Sequence, residues 1–527
     1  MRRAIGFFEI KDKDLCGRIA RLYTPNGVLE TPTILPVVDP LRQELPISEI
    51  KSIGLNAIIT NAYLMMRRLG KTEEVPDVHN LMNFDGIIMT DSGAYQHLRY
   101  GRVEVSQHDI LEFQKRINSD IAVILDVPTG GMQDYDSARK AVEETYSRAI
   151  DALNYIDIDK RVWVLPIQGG PYLDLVEYSS KLSRKLLSSY QMVALGSPTP
   201  LLERYEYSRI IEMIFIVRRI IGYSKPLHLF GAGHPMIIPY LVAAGVDLFD
   251  SASYILYARD NRYMTRSRTY RLDDLDYFPC SCPICNKYDP SEVREMPKSE
   301  RVRILAAHNL YVLKKTINEV KVAIREGRLW ELLEEYSHAH PSLYTTFRTF
   351  LKYHDIVEKI SYSTKGGEVH GVFIYGIESK YRPQILRHRR KVIVNLLKTL
   401  EHLPQAIKGV VLYPGDPLDK PFNRSRLSRL VSQTFNEEQY MLIAYTPILG
   451  VVPNELAECY PLSQFELAQP ISSEVLQDLI HYLKTFVESV RQLGISIVFV
   501  SSPQIEWSVH VARSLHKFID VVEIVDL

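Results

Sequence analysis

Eight short apolar segments, each followed by a polar turn and a helical stretch, fill most of the chain between residues 31 and 252. They are TPTILPVV, NAIITNA, GIIMTDSG, IAVILDVP, VWVLPIQG, MVALGS, PLHLFGAG and VDLFDSA. Their lengths and β-branched content are typical of strands covered on both faces. The stretches between them, such as SARKAVEETYSRAIDALNYI, have the period of amphipathic helices. Eight consecutive βα units favour a closed (β/α)8 barrel, or TIM barrel, over an open doubly wound sheet.

The length of the chain and a later change of pattern predict a second domain. At 527 residues the chain exceeds one typical domain. After a helical region from about Ser299 to Phe350, the stretch STKGGEVHG precedes a new α/β pattern, with strand candidates GVFIYGI, GVVLYPG, YMLIAYTP and ISIVFVSS. We therefore predict a barrel domain over 1–345, a linker over 346–365 and a C-terminal α/β domain over 366–527.

Charge and hydropathy exclude several classes of protein. Lys+Arg and Asp+Glu are equal at 63 each, so any nucleic-acid surface must be a local patch rather than a global field. No apolar run approaches the roughly 18 residues that span a bilayer. The N-terminal stretch MRRAIGFFEIKDKD lacks the apolar core of a secretory signal. These features predict a cytoplasmic protein without a membrane partner.

Three of the five cysteines lie within six residues, in the pattern C-x-C-x2-C, and a histidine follows in the helical stretch RILAAHNLY. The four candidate metal ligands are Cys280, Cys282, Cys285 and His308. Three thiolates and one imidazole form a closed tetrahedral Zn²⁺ site. Such a site has no open position, so we predict one structural zinc per chain, in a zinc subdomain over 280–308 of the barrel domain. The alternative is that His308 is an ordinary core residue.

Polar residues follow the predicted strands at the end of a barrel where catalytic groups are found. The residues at these strand ends are Asp91, Ser92, Asp126, Gln168, Gly196, Ser197, Phe230, Asp250 and Ser251. One Asp after a strand is more often a helix N-cap. Three on one rim repel one another and are costly to bury, which favours a functional site. The neighbouring glycines leave room for a flat ligand to approach the backbone.

This combination of groups suits chemistry at a glycosidic carbon beside a bound purine. Two carboxylates that face one glycosidic carbon can carry out a double displacement. A third carboxylate and an amide match the donor and acceptor edge of guanine. Tyr95 and Phe230 offer aromatic faces on which a base can stack.

The motifs DSGAYQ, VPIQGG, ALGS, HLFGAG, GVDLFDS and C-x-C-x2-C-x22-H, in this order, resemble the tRNA-guanine transglycosylase family over residues 1 to about 345. The forms DSGAYQ and FDSAS resemble its archaeal branch. The resemblance implies that Asp250 is the nucleophile on ribose C1′ and Asp91 the general acid/base. The implied substrate-binding residues are Ser92, Tyr95, Asp126, Gln168, Gly196 and Phe230. Asp247 is the other carboxylate of GVDLFDS, and strand alternation predicts a structural role for it.

The resemblance also implies a substrate and partners. Archaeal members are pentosyltransferases that replace guanine 15 in the tRNA D-arm with 7-cyano-7-deazaguanine, the precursor of archaeosine, and they are commonly homodimers. We find no PUA module in the chain, so we expect either that a separate PUA protein takes part in tRNA docking or that this chain binds tRNA more weakly. The C-terminal segment more faintly resembles a domain of archaeosine synthase. Around Lys420 it lacks that enzyme's Cys and His, so synthase activity is not expected. The C-terminal domain is instead predicted to support tRNA docking or dimer packing.

A basic segment and three alternative functions complete the prediction. ARDNRYMTRSRTYR follows the last barrel strand directly. Its candidate tRNA contacts are Arg259, Arg262, Arg266, Arg268 and Arg271. The alternatives are an archaeosine-synthase-like paralogue, a non-catalytic tRNA-binding subunit and a zinc-stabilised nucleoside hydrolase. The first would have lost the zinc ligands or the rim aspartates, and the second would lack the nucleophile, whereas Asp250 is present. The third would need no domain for tRNA docking.

Overall fold

The structure is a computed structural model that describes residues 3–69, 75–94, 106–131, 134–361, 371–402 and 407–523. The chain divides into two compact units, Met1–Tyr353 and His354–Leu527. None of the described helices combines the length and the apolar character needed to cross a membrane.

The first unit begins with a three-stranded antiparallel sheet and continues into an eight-stranded parallel one. The antiparallel strands are β1 (Phe8–Asp14), β2 (Gly17–Thr24) and β3 (Gly27–Thr31). The parallel strands are β4 (Thr33–Pro36), β5 (Ala57–Asn61), β6 (Ile87–Asp91), β7 (Ile121–Val123), β8 (Val162–Ile167), β9 (Met192–Leu195), β10 (Leu227–Leu229) and β11 (Leu248–Ser251). A parallel bridge between Val37 and Ile59 joins β4 to β5, so the sheet nearly closes. The predicted (β/α)8 barrel is confirmed.

Helices surround this barrel. They are α1 (Ile47–Ser52), α2 (Ala62–Leu69), α3 (Val78–Met82), α4 (Gln107–Arg116), α5 (Tyr135–Asp151), α6 (Leu173–Arg184), α7 (Thr199–Glu203), α8 (Tyr207–Ile221), α9 (Ile238–Ala244) and α10 (Ser253–Arg259). Side chains of the preceding loops begin several of them. Ser106 caps α4 and Asp134 caps α5, each accepting a backbone N–H of the first turn.

The barrel interior is packed with alternate strand residues and is closed at its amino-terminal end. Leu22 and Leu29 of the antiparallel sheet belong to the same buried cluster as Met89 and Val164 of the barrel strands. In the turn between β2 and β3, the side chain of Asn26 donates to Gly86 O (3.0 Å), next to the start of β6. A ligand therefore has to enter from the carboxyl ends of the strands, where the polar residues lie.

The post-barrel segment contains a short hairpin and four helices. They are β12 (Arg262–Met264), β13 (Thr269–Arg271), α11 (Pro290–Glu295), α12 (Lys298–Glu326), α13 (Leu329–Ser337) and α14 (Pro341–Leu351). The single helical region predicted over 299–350 is thus three helices. Gly327, in a left-handed conformation (φ +70°), ends α12, and His340 caps α14. Both breaks are only two or three residues long, which is why the helical period continues across them.

The second unit is an α/β fold around a five-stranded sheet of order β17-β16-β15-β19-β20, with β14 and β18 paired separately. Its elements are α15 (His354–Ile360), β14 (Val372–Ile374), α16 (Pro383–Glu401), β15 (Gly409–Pro414), α17 (Arg426–Thr434), β16 (Tyr440–Thr446), β17 (Gly450–Pro453), β18 (Phe465–Leu467), α18 (Ser473–Gln492), β19 (Ser496–Ser501), α19 (Glu506–Leu515) and β20 (Val521–Glu523). All four predicted strands are present. The segment predicted as a linker, 346–365, is largely helical up to Ile360, because its apolar residues continue at helical spacing.

Candidate active site and metal centre

Three carboxylates lie at the carboxyl ends of the barrel strands. Asp91 ends β6, Asp126 follows β7, and Asp250 lies in β11. Asp126 and Asp250 are each only 8% exposed. Burial raises the pKa of Asp91 to about 7, and the charges of Asp126 and Asp250 add to the shift. The three predicted aspartates therefore share one site, and Asp91 is poised to take up or release a proton near neutral pH.

Asp250 is held through only one of its two oxygens. Its Oδ1 lies 2.8 Å from Nε2 of His228 and accepts the backbone N–H of Gly231 at 3.0 Å. Oδ2 has no hydrogen-bond partner among the described residues. Gly231 adopts φ +68°, a left-handed conformation that suits glycine and turns its N–H toward the carboxylate.

Asp126 belongs to a buried polar network built around Gln168. Nε2 of Gln168 donates to Oδ2 of Asp126, and its Oε1 accepts from Ser197 Oγ (2.8 Å) and Thr129 Oγ1 (3.0 Å). A side chain at Gly196 would place its Cβ 2.2 Å from Gln168 Nε2, so glycine lets the Gln168 amide keep its position. Burial raises the pKa of Asp126 to about 6, although the bond from Gln168 opposes the shift. The predicted residues Asp126, Gln168 and Gly196 are thus adjacent, with Gln168 in contact with both of the others.

Asp91 is supported by a residue of the neighbouring strand. Asn61 is its register partner across β5 and β6, and Asn61 Nδ2 donates to Asp91 Oδ2 at 3.3 Å. The next residue, Ser92, is buried, and its hydroxyl has no hydrogen-bond partner within the described ranges. An unsatisfied buried hydroxyl next to a carboxylate is well placed to receive a polar ligand.

The remaining predicted residues have different surroundings. Phe230 is half-buried and packs edge-on against His228, with ring centroids 4.7 Å apart. Tyr95 lies outside the described residues. Asp247 lies away from the site and is fully buried. Its ion pairs with Arg18 (2.7 Å) and Arg218 (2.8 Å) compensate for that burial.

Sequence reasoning missed three polar residues of this site. They are Asn61, Thr129 and His228. The signals were present, since Asn61 ends the second predicted strand and His228 precedes Phe230 by two residues, on the same face of its strand. His228 is fully buried and would have passed for a core residue by its position alone.

The four predicted metal ligands lie close together in the segment that follows the barrel strands. The ligand atoms of Cys280, Cys282, Cys285 and His308 all lie within 4.8 Å of one another. Nδ1 of His308 is 3.4 Å from the sulfur of Cys282 and 3.3 Å from that of Cys285. The other ring nitrogen, Nε2, lies 2.8 Å from Met264 O. That bond fixes the proton on Nε2 and leaves Nδ1 free to bind a metal.

Most of the predicted tRNA-contacting arginines form ion pairs within the protein. Arg259 pairs with Glu44 (2.7 Å), Arg262 with Asp260 (2.7 Å) and Arg266 with Glu335 (2.7 Å). Arg268 and Arg271 are exposed and have no ion pair among the described residues. The positive charge of this segment is therefore partly neutralised at its own surface.

Comparison with known proteins assigns a family to this site. The family model for queuine tRNA-ribosyltransferase matches residues 13–342. The chain belongs to the tRNA-guanine transglycosylase family. It is similar to the tRNA-guanine(15) transglycosylases of Sulfolobus acidocaldarius (46% identity over 94% of this chain and 95% of the relative) and Aeropyrum pernix (44%, over 96% and 97%). That of Archaeoglobus fulgidus is 36% identical over 96% of this chain and 95% of the relative. The likeness extends over both units and identifies a pentosyltransferase of the archaeal type that acts on tRNA.

Because the pKa of Asp91 is raised, its ionised form is expected to lower the free energy of unfolding at neutral and higher pH. A carboxyl whose pKa is higher in the folded protein than in the unfolded chain stabilises the fold at low pH and loses that contribution as pH rises toward 7. Asp91→Asn removes the titration, so the variant is expected to be more stable than the wild type at pH 8, by up to about 4 kcal/mol. Thermal unfolding at several pH values between 4 and 8 measures the difference.

The control for this prediction is Asp85→Asn. Asp85 is fully exposed, and its hydrogen bond with Lys51 lowers its pKa, so that variant should show only a small difference of the opposite sign. A stability difference for Asp91→Asn that does not change with pH would contradict the raised pKa.

Proposed function

We propose that the protein exchanges guanine at position 15 of tRNA for 7-cyano-7-deazaguanine, the first step of archaeosine formation on tRNA. The observation that carries the chemistry is the pairing of two unlike carboxylates at one rim. Asp250 has one anchored oxygen and one without a partner among the described residues, whereas Asp91 has a pKa of about 7. Position 15 comes from the names of the relatives. The incoming base, 7-cyano-7-deazaguanine, comes from the resemblance of the motifs.

The proposed reaction is a double displacement at ribose C1′. A carboxylate oxygen of Asp250 forms a bond to C1′ as the bond from C1′ to N9 of guanine breaks. The electron pair of that bond leaves on guanine, which takes a proton from Asp91. The incoming base then gives its N9 proton to Asp91 and attacks C1′, and the electron pair of the ester bond returns to Asp250.

The network around Gln168 is suited to recognise a guanine-like base. Asp126 offers carboxylate acceptors to the N1–H and N2–H donors of the base, and Gln168 fixes the orientation of that carboxylate. Ser92 and the backbone at Gly196 lie at the same rim and supply further polar contacts. We assign Phe230 and Tyr95 as the aromatic faces on either side of the base. Guanine 15 lies inside folded tRNA, so access requires its extrusion and opening of the D-arm.

The metal of the Cys3His group is proposed to be one structural Zn²⁺. Tetrahedral zinc with Zn–S bonds near 2.3 Å separates its sulfur ligands by about 3.8 Å. The sulfurs of Cys282 and Cys285 are 3.6 Å apart, which fits that geometry. Four protein ligands leave no position for substrate, so the metal ties the segment after the barrel to α12.

A homodimer, a separate PUA protein as tRNA-binding partner and a cytoplasmic location remain parts of this proposal.

The test is the incorporation of labelled guanine into unmodified archaeal tRNA, with the labelled position mapped. We expect label at position 15 only, and 7-cyano-7-deazaguanine should compete strongly while queuine should not. The matched control is the same tRNA with adenosine at position 15, which should accept no label. Label at another position, or stronger competition by queuine, would replace the proposed substrate. The absence of incorporation by folded, metal-loaded protein with an added PUA protein would overturn the function itself.

A further inference from the structure

The two hydrogen bonds to Asp250 converge on the same oxygen. His228 and the backbone N–H of Gly231 both lie within 3.0 Å of Oδ1. Asp250 keeps 11% of its side chain exposed, and Oδ2 has no partner in the described part of the chain. A carboxylate held in this way cannot rotate to exchange its two oxygens without breaking both bonds. The oxygens are therefore chemically distinct before any substrate binds.

His228 is well fixed for this role. It lies in β10, between Ala194 of β9 and Leu248 of β11 in register, and its side chain is fully buried. Its ring packs edge-on against Phe230. Nδ1 is buried without a hydrogen-bond partner among the described residues, so a proton there would be left without an acceptor. The tautomer that fits carries its proton on Nε2 and donates it to Asp250.

We propose that His228 is a positioning residue that makes Oδ2 of Asp250 the attacking oxygen. The inference rests on the proposed function, in which Asp250 is the nucleophile. Oδ2 donates an electron pair to C1′ and becomes the ester oxygen as the C1′–N9 bond breaks, and Oδ1 becomes the ester carbonyl. In the second displacement the C1′–Oδ2 bond breaks, and the electron pair returns to the carboxylate. Throughout, Nε2–H of His228 and N–H of Gly231 stay on Oδ1, so the carboxylate is already oriented for attack.

The test compares His228→Phe with His228→Gln. Phenylalanine keeps a ring of similar shape in the buried site but has no donor, whereas the amide of glutamine can still reach Asp250. For His228→Phe we expect kcat, and the rate of covalent adduct formation in a single turnover, to fall by about 100-fold. The KM for tRNA should stay within about twofold, because tRNA binding does not depend on this bond. His228→Gln should recover kcat to within about tenfold of the wild type.

The matched control is His79→Phe. His79 also pairs with a buried carboxylate, Asp120 (3.2 Å), but next to the amino-terminal ends of the barrel strands. This variant should keep the wild-type kcat, which separates loss of a His–Asp pair in general from loss of the one at Asp250.

The outcomes separate this inference from the proposed function. Unchanged kcat in His228→Phe, a change confined to KM, or a His228→Gln variant no better than His228→Phe would overturn the role of His228 alone. A wild-type adduct that maps to a residue other than Asp250, or no adduct at all, would overturn the proposed mechanism instead. A structure of the trapped adduct should show the ribose on the oxygen that faces away from His228 and Gly231, and ribose on the other oxygen would also overturn the inference.

Discussion

Asp250→Asn is expected to abolish base exchange, with a fall in kcat of about 10⁴-fold or more. The amide has the shape of the carboxylate, and its oxygen can still accept from His228 and Gly231, so the fold and tRNA binding should persist. It lacks the nucleophilic oxygen, so the ester with ribose cannot form. Incorporation of labelled guanine gives the rate, and a denaturing gel of enzyme with tRNA detects the covalent adduct, which should disappear.

The matched control for Asp250→Asn is Asp247→Asn, three residues earlier in the same motif. Asp247 neutralises the buried guanidinium groups of Arg18 and Arg218. Its loss should lower the free energy of unfolding of the first unit by about 3–5 kcal/mol while the kcat of folded molecules stays near wild type. Adduct formation by Asp250→Asn, or loss of kcat in Asp247→Asn without loss of stability, would reverse the roles assigned to the two carboxylates.

Removal of the proposed zinc should lower the stability of the first unit substantially. Cys282→Ser is expected to reduce bound zinc from one ion per chain to nearly none and to lower the unfolding temperature by on the order of 10 °C. The reason is that the proposed zinc would join Cys280, Cys282 and Cys285 to His308 on α12, and the variant removes one of its four ligands. Metal analysis of the purified protein and calorimetry measure the two quantities.

Cys459→Ser provides the control for the metal prediction. Cys459 is an exposed, unpaired thiol of the second unit, so its replacement should change neither the zinc content nor the unfolding temperature. A Cys282→Ser variant that still binds one zinc per chain would show that the metal is held elsewhere. One that loses zinc but unfolds at the wild-type temperature would show that the ion does not stabilise the fold.

The sequence by itself predicted the barrel, the metal ligands and the rim carboxylates. Local patterns suffice for these features, because a strand buried on both faces appears as a continuous apolar run and a barrel places functional groups after each such run. The spacing of Cys280, Cys282 and Cys285 likewise lies within one short segment. The strands β1 to β3, the hairpin of β12 and β13, and the strands β17, β18 and β20 were not predicted, because they lie outside the apolar runs on which the strand prediction rested.

Only the tertiary structure decided how the site works in detail. It brought His228 and Gly231 to the same oxygen of Asp250, linked Gln168 to Asp126, and paired Arg259 with Glu44, which is distant in sequence. It also identified the partners of Asp247, for which strand alternation had already predicted a structural role, as the buried Arg18 and Arg218. Such contacts join residues far apart in the chain, and the pKa of Asp91 depends on burial and on charges from other strands. A linear pattern contains the residue types, whereas distances between strands arise only when the barrel closes.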